Sequence, residues 1–217
     1  MIRKLVELTC VLMLTSLVLP VKTCSPGAEF NIFFIVDSSR TTGEANYPTY
    51  FSFVSEVVTL LPVGVDGIAV GLVTHDTNPP TVIALTKDAD AFIKKIKKIE
   101  YRQNTVQLAV NLYTTLRNVP VADTVNTIFV LLTDNTDSKL VKGAINMSGT
   151  VKKSGVHIIT VGVTNKVNED ELRKVASNSD ESVFVKTFSD LRSYVNPIAD
   201  LICKVAEAEL LENVTNR

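Results

Sequence analysis

Asp37, Ser39 and Thr41 alternate along the loop that follows an apolar run, and Asp134 closes a second apolar run much further along. The runs are Asn31 to Val36 (NIFFIV) and Asn126 to Asp134 (NTIFVLLTD). Aspartates at the carboxyl ends of two parallel-type strands can meet at one crevice of an open α/β sheet. Two carboxylates with hydroxyls beside them form a hard oxygen donor set, which suits Mg²⁺, Mn²⁺ or Ca²⁺. Helix capping is the plainer use of Ser39 and Thr41, and it does not exclude ligation.

Enzyme chemistry fits the same residues poorly. The Asp37 to Thr41 spacing is faintly that of an aspartyl-phosphatase loop of the haloacid dehalogenase type. That chemistry needs a second aspartate two residues on, and Ser39 stands there. Neither a phosphate-cradling G-x-x-x-x-G-K-[ST] loop nor a G-x-G-x-x-G turn occurs. His75 and His157 are the 2 histidines, too few for a zinc cluster. His157 lies inside an apolar strand and reads as a satisfied core residue. No nucleophile elbow accompanies His75. The chain is therefore expected not to be an enzyme.

Strand-like and helix-like runs alternate along the chain, which predicts a largely parallel sheet with helices on both faces. Glu44 to Leu61 has apolar residues near helical spacing and ends at Pro62 and Gly64. Gly67 to Thr74 is a second strand whose glycines imply close packing over the sheet. Asn78-Pro79-Pro80 is too short for a crossover, so Thr81 to Leu85 returns antiparallel at the sheet edge. Helices are expected over Asp88 to Ile99, Thr105 to Leu116, Lys139 to Ser154 and Glu169 to Ala176. Gly155 would cap the third of these. Val156 to Val163 and Val183 to Lys186 are the remaining strands. Phe188 to Glu212 is the closing helix, bent or delayed by Pro197. The expected architecture is α/β: an open six-stranded sheet, mostly parallel with one antiparallel edge strand, flanked by helices.

The 217 residues, 46% of them hydrophobic, suffice for one domain with a full core. The first 23 read as a signal peptide: Arg3 and Lys4, an apolar stretch from Cys10 to Leu19, and a cut near Cys24. A retained anchor and a lipoprotein cut are the other readings of this segment. Of 22 basic and 23 acidic residues, Arg3, Lys4, Lys22 and Glu7 lie in it. That leaves 19 and 22, a mature charge of about −3, with no basic excess to suggest nucleic acid. Residues 24–205 would be the domain and 206–217 a charged tail that frays. Cys24 and Cys203 remain as an even pair in an oxidising compartment, bridged or as two free thiols. Asn146-Met147-Ser148 and Asn213-Val214-Thr215 are glycosylation sequons that fit secretion.

The D-x-S-x-S/T pattern of Asp37, Ser39 and Thr41, together with Leu132-Thr133-Asp134, resembles the metal-ion-dependent adhesion site of the von Willebrand factor A family. The element order, the hairpin and the strand VHIITVGV are similar to that family over Ala28 to about Lys204. The resemblance implies a von Willebrand A, Rossmann-like fold with its termini side by side, stapled by Cys24 and Cys203. It implies that Asp37, Ser39 and Thr41 ligate the metal and that Asp134 closes the site through water. It also implies a threonine ligand from the loop before the third helix. Gln103 falls at that place here, with Thr105 at the family's second threonine, and the loop's usual glycines are missing.

Arg40, His75, Asp76, Asn135 and Asp137 form an expected rim for a partner, or else a solvated loop region. Asn135 stands where the family commonly has glycine. The implied function is that of a secreted, extracellular adhesion or matrix protein. It would bind a collagen-like or other matrix partner, through an acidic side chain, at a cation with an open coordination position. The alternative is a metal-free structural interaction module whose site Gln103 has disabled.

Overall fold

The computed structural model describes residue 24 and residues 29–64, 67–74, 79–102, 108–119 and 126–215, with the backbone alone for 210 and 212–215. Strands β1 (Phe30–Val36), β2 (Ala69–Thr74), β3 (Thr81–Thr86), β4 (Asn126–Thr133), β5 (Val156–Val163) and β6 (Ser182–Val185) form one sheet in the order β3-β2-β1-β4-β5-β6. All pairs are parallel except β2 with β3, the hairpin that its short link demanded. Among the described residues six α-helices flank it: α1 (Gly43–Leu60), α2 (Ala89–Ile96), α3 (Leu108–Arg117), α4 (Ser138–Lys153), α5 (Glu169–Val175) and α6 (Val195–Thr215). Two 3₁₀ segments, η1 (Ser179–Glu181) and η2 (Phe188–Tyr194), precede β6 and α6.

β1 and β4 are central and covered on both sides, so they are apolar almost without interruption. Alternate residues serve opposite layers. Ile32, Phe34 and Val36 of β1 pack with Val54 and Val58 of α1 and with Ile198 and Ile202 of α6. Phe33 and Ile35 pack with Leu108 and Leu112 of α3 and with Val141 of α4. The helix after β1 and the helix after β4 thus lie on opposite faces. The crevice between the carboxyl ends of these two strands is the sheet's switch point. Gly71 shows the close packing expected of β2: a Cβ there would lie 2.6 Å from the Phe33 ring. The β2–β3 register slips around it, between Val70 and Leu72. Gly155 follows α4 at φ +79°, the left-handed conformation that ends helices.

Cys24 and Cys203 form a disulfide, with Cα atoms 4.7 Å apart. Three details differ from the expectations. The closing helix starts at Val195 after the 3₁₀ turn of η2, which puts Pro197 in its first turn, where a missing N–H costs nothing. Nor does helical structure stop at Val205. Ala206 is fully buried and α6 runs to Thr215, because the alanines, glutamates and leucines there are strong helix formers. The β2 strand begins at Ala69, since Ile68 makes an isolated bridge with Val63 instead.

Candidate metal-ion site

The β1–β4 ladder continues one bond past the strand: the Asp37 N–H donates to Leu132 O at 3.0 Å. This sets Asp37 beside Thr133 and within electrostatic reach of Asp134. Both carboxylates are buried, Asp37 at 1% and Asp134 at 3% exposure. Asp37 Oδ1 accepts from the Ser39 N–H (2.9 Å) and Oδ2 from the Thr133 hydroxyl (2.6 Å). Asp134 Oδ1 accepts from Thr42 Oγ1 (2.5 Å) and, at greater length, from the Tyr50 hydroxyl (3.4 Å).

Ser39 Oγ and Thr41 Oγ1 lie 2.8 Å apart, and Thr41 also hydrogen-bonds Asp134. The helix-capping alternative is therefore not what these hydroxyls do. Thr42 is the N-cap of α1 and makes no side-chain cap bond. Asp37, Ser39, Thr41 and Asp134 form one connected cluster at the switch point. Burial pushes the Asp37 carboxyl up to about 6; the Thr133 bond restrains the rise and the Asp134 charge adds to it. Burial likewise raises Asp134, against the Thr42 and Thr41 hydrogen bonds. Two buried carboxylates that resist ionisation, beside hydroxyl oxygens, fit a hard divalent cation, which would favour the charged form of both.

The rim is only partly as expected. Arg40 and Asp137 are exposed. Asp137 caps α4, accepting from the Lys139 N–H at 2.8 Å. Asn135 is buried rather than presented to a partner: its Oδ1 accepts from the Asp137 N–H and its own N–H donates to Thr133 Oγ1. It is also not left-handed; among the described residues Thr164 is the non-glycine with positive φ. Gln103, Thr105, His75 and Asp76 lie outside the described residues.

Four contributors escaped the sequence reading. Thr42, Thr133 and Tyr50 donate to the two carboxylates. Tyr101, half-buried, donates to Ser39 O at 3.4 Å and stacks edge-on against Tyr47, whose hydroxyl is 2.8 Å from Thr74 Oγ1. Thr133 and Thr42 carried a faint signal, each adjoining a named ligand. The tyrosines carried none beyond the place of Tyr50 on the apolar side of α1.

The sequence model of the von Willebrand factor type A domain matches residues 31–197. The chain belongs to this family. As a von Willebrand A domain it is 27% identical over 198 residues to the collagen alpha-4(VI) chain of Mus musculus, covering 86% of this chain and 8% of the collagen. It is 27% identical over 190 residues to cochlin of Bos taurus, covering 84% of this chain and 34% of cochlin. The chain thus spans about a third or less of these relatives' length. Proximal thread matrix protein 1 from the mussel byssus, solved with a zinc-occupied MIDAS motif, shares the fold at a TM-score of 0.68 and 20% identity, over 83% of this chain and 49% of that one. No helix among the described residues is long and apolar enough to cross a membrane.

Proposed function

We propose that this von Willebrand A domain is a secreted adhesion or matrix-assembly module that binds a protein partner through a divalent cation. Asp37, Ser39 and Thr41 would hold the ion, with Asp134 behind them and Gln103 as a poor substitute for a threonine ligand. The observation that carries this reading is the direct linkage of the four oxygen-bearing side chains at the switch point, with the hydroxyls of Ser39 and Thr41 free of capping duty. A bound Mg²⁺ or Mn²⁺ supplies a Lewis-acid contact for a carboxylate oxygen of the partner. Thr133 and the Ser39 N–H orient Asp37; Thr42 and Tyr50 orient Asp134. Exposed Arg40, between two of the ligands, would favour an acidic partner. The collagen relative and the byssal thread matrix protein support a matrix partner, with no catalytic step. Residues 1–23 would direct the chain to the secretory pathway. Asn146, exposed on α4, is the glycan site we favour, with Asn213 of α6 as the other.

A metal-free module is the second reading, favoured by the hydroxyl donors that already satisfy the carboxylate oxygens. Calorimetry with Mg²⁺ and Mn²⁺ separates the two. We expect weak binding by the wild type, tighter binding by Gln103→Thr, and none by a folded Asp37→Ala. No heat from either the wild type or Gln103→Thr would favour the metal-free module.

A further inference from the structure

His157 is the second residue of β5, at the amino end of that strand. It therefore lies at the opposite end of the sheet from Asp37 and Asp134. Its side chain is satisfied, as the strand pattern implied, but by carboxylates rather than by core groups. Both ring nitrogens meet carboxylates from other elements: Nε2 lies 2.5 Å from Glu181 Oε2 of η1, and Nδ1 lies 3.0 Å from Glu209 Oε1 of α6.

The two carboxylates are held differently. Glu181 is fixed, because Asn178 gives its N–H to Oε2 (3.1 Å) and its Nδ2 to Oε1 (2.9 Å). The side chain of Glu181 is 10% exposed and that of Glu209 is 31% exposed. An ionised carboxylate only accepts hydrogen bonds. The Nε2 proton is thus committed to Glu181. With a neutral ring, the Nδ1 lone pair would point at a Glu209 oxygen that also has only lone pairs to offer. Both contacts are satisfied together when the ring carries two protons. Among the described residues, Ile128 is the register partner on β4, and Ile202, Cys203, Val205 and Ala206 are buried on α6 in the turns before Glu209.

We propose that His157, Glu181 and Glu209 form a pH-gated clasp that holds the end of α6 against the sheet. The charged ring bridges the two glutamates and closes the clasp. Loss of the Nδ1 proton leaves Nε2 on Glu181 and releases Glu209 to water, the more exposed partner. Among the described side chains of α6 beyond Ala206 none is buried, and Leu211 is 69% exposed, so a polar tether matters there. Histidine is the side chain whose charge ordinarily changes between about pH 5 and 8. Loss of the second ring proton would therefore loosen this helix end. It stands on residues remote from the cation site and does not depend on it.

The test is hydrogen exchange of the disulfide-bonded protein, read as protection factors for amides 206–215 to remove the intrinsic pH dependence. Imidazole ¹⁵N shifts of His157 are followed in parallel. We expect protection of these amides to fall about five- to tenfold as the Nδ1 proton is lost, with the rest of the sheet unchanged. In Glu209→Gln, whose amide can donate to a neutral Nδ1, the step should vanish or reverse. His157→Gln should abolish it. A ring that keeps Nδ1 unprotonated down to about pH 5 would overturn the proposal. So would a wild-type step that persists unchanged in Glu209→Gln.

Discussion

Thr133 immediately precedes Asp134 in β4, yet its hydroxyl serves the other aspartate: Oγ1 donates to Asp37 Oδ2 at 2.6 Å, across to β1. The same oxygen accepts from the Asn135 N–H at 3.0 Å. One hydroxyl thus joins the ends of both central strands and shapes the loop that follows. Thr133→Val keeps the volume and the branching but removes both bonds. We expect it to destabilise the domain by about 1–3 kcal/mol and to weaken metal binding at least tenfold. Chemical denaturation and calorimetry check the two effects; a variant as stable and as avid as the wild type would remove Thr133 from this role.

Besides Thr41, two hydroxyls of unequal reach orient Asp134, Thr42 at 2.5 Å and Tyr50 at 3.4 Å. Thr42→Val should therefore cost more metal affinity than Tyr50→Phe, which leaves the short bond intact. Titration of both variants with Mn²⁺ gives the order directly, and equal losses would contradict it.

The Asp37 carboxyl makes the metal-free protein pH-sensitive. Its folded value of about 6 lies above its ordinary 3.8, so the folded protein holds this proton more tightly than the unfolded chain. The resulting stabilisation is complete below about pH 4 and is lost as pH rises through 6. It amounts to something on the order of 3 kcal/mol. Asp37→Asn lacks it. The stability of the wild type relative to Asp37→Asn, measured in chelator, should fall by that order between pH 4 and 7. Excess Mg²⁺ should restore much of it at the upper end. A flat difference across this range would show that Asp37 ionises freely.

The disulfide closes a loop with a sequence separation of 179. By chain entropy a loop of that length is worth about 5 kcal/mol. Replacing both Cys24 and Cys203 by serine should lower the urea midpoint accordingly, with little change in the spectrum of the native state. An unchanged midpoint would show that the bridge adds no stability.

The central strands, their terminal aspartates and the hairpin were legible because each follows from local pattern. A strand buried on both faces is apolar throughout, an aspartate ends it visibly, and a link as short as Asn78-Pro79-Pro80 permits only an antiparallel return. The donors behind the carboxylates were not legible in the same way. Thr133, Thr42 and Tyr50 acquire their partners from strand adjacency and helix placement, and threonine or tyrosine at such positions serves equally well as packing. Asn135 misled for the opposite reason: it looked like a turn residue facing solvent, and the β4–α4 loop folds it inward to hold Asp137. The end of α6 misled because charge density suggested a solvated tail, while helix propensity and Glu209's reach to His157 favoured order.

The Cys24–Cys203 bridge has a mechanical consequence. Its Cα atoms are 4.7 Å apart, beside α6 and away from the cation cluster. Tension applied between Cys24 and the chain beyond Cys203 would pass through the sulfur–sulfur link and leave the intervening sheet slack. A domain so wired can be strung in a loaded fibre without being stretched open, and a partner gripping the Asp37 end would then be peeled from a body that keeps its shape.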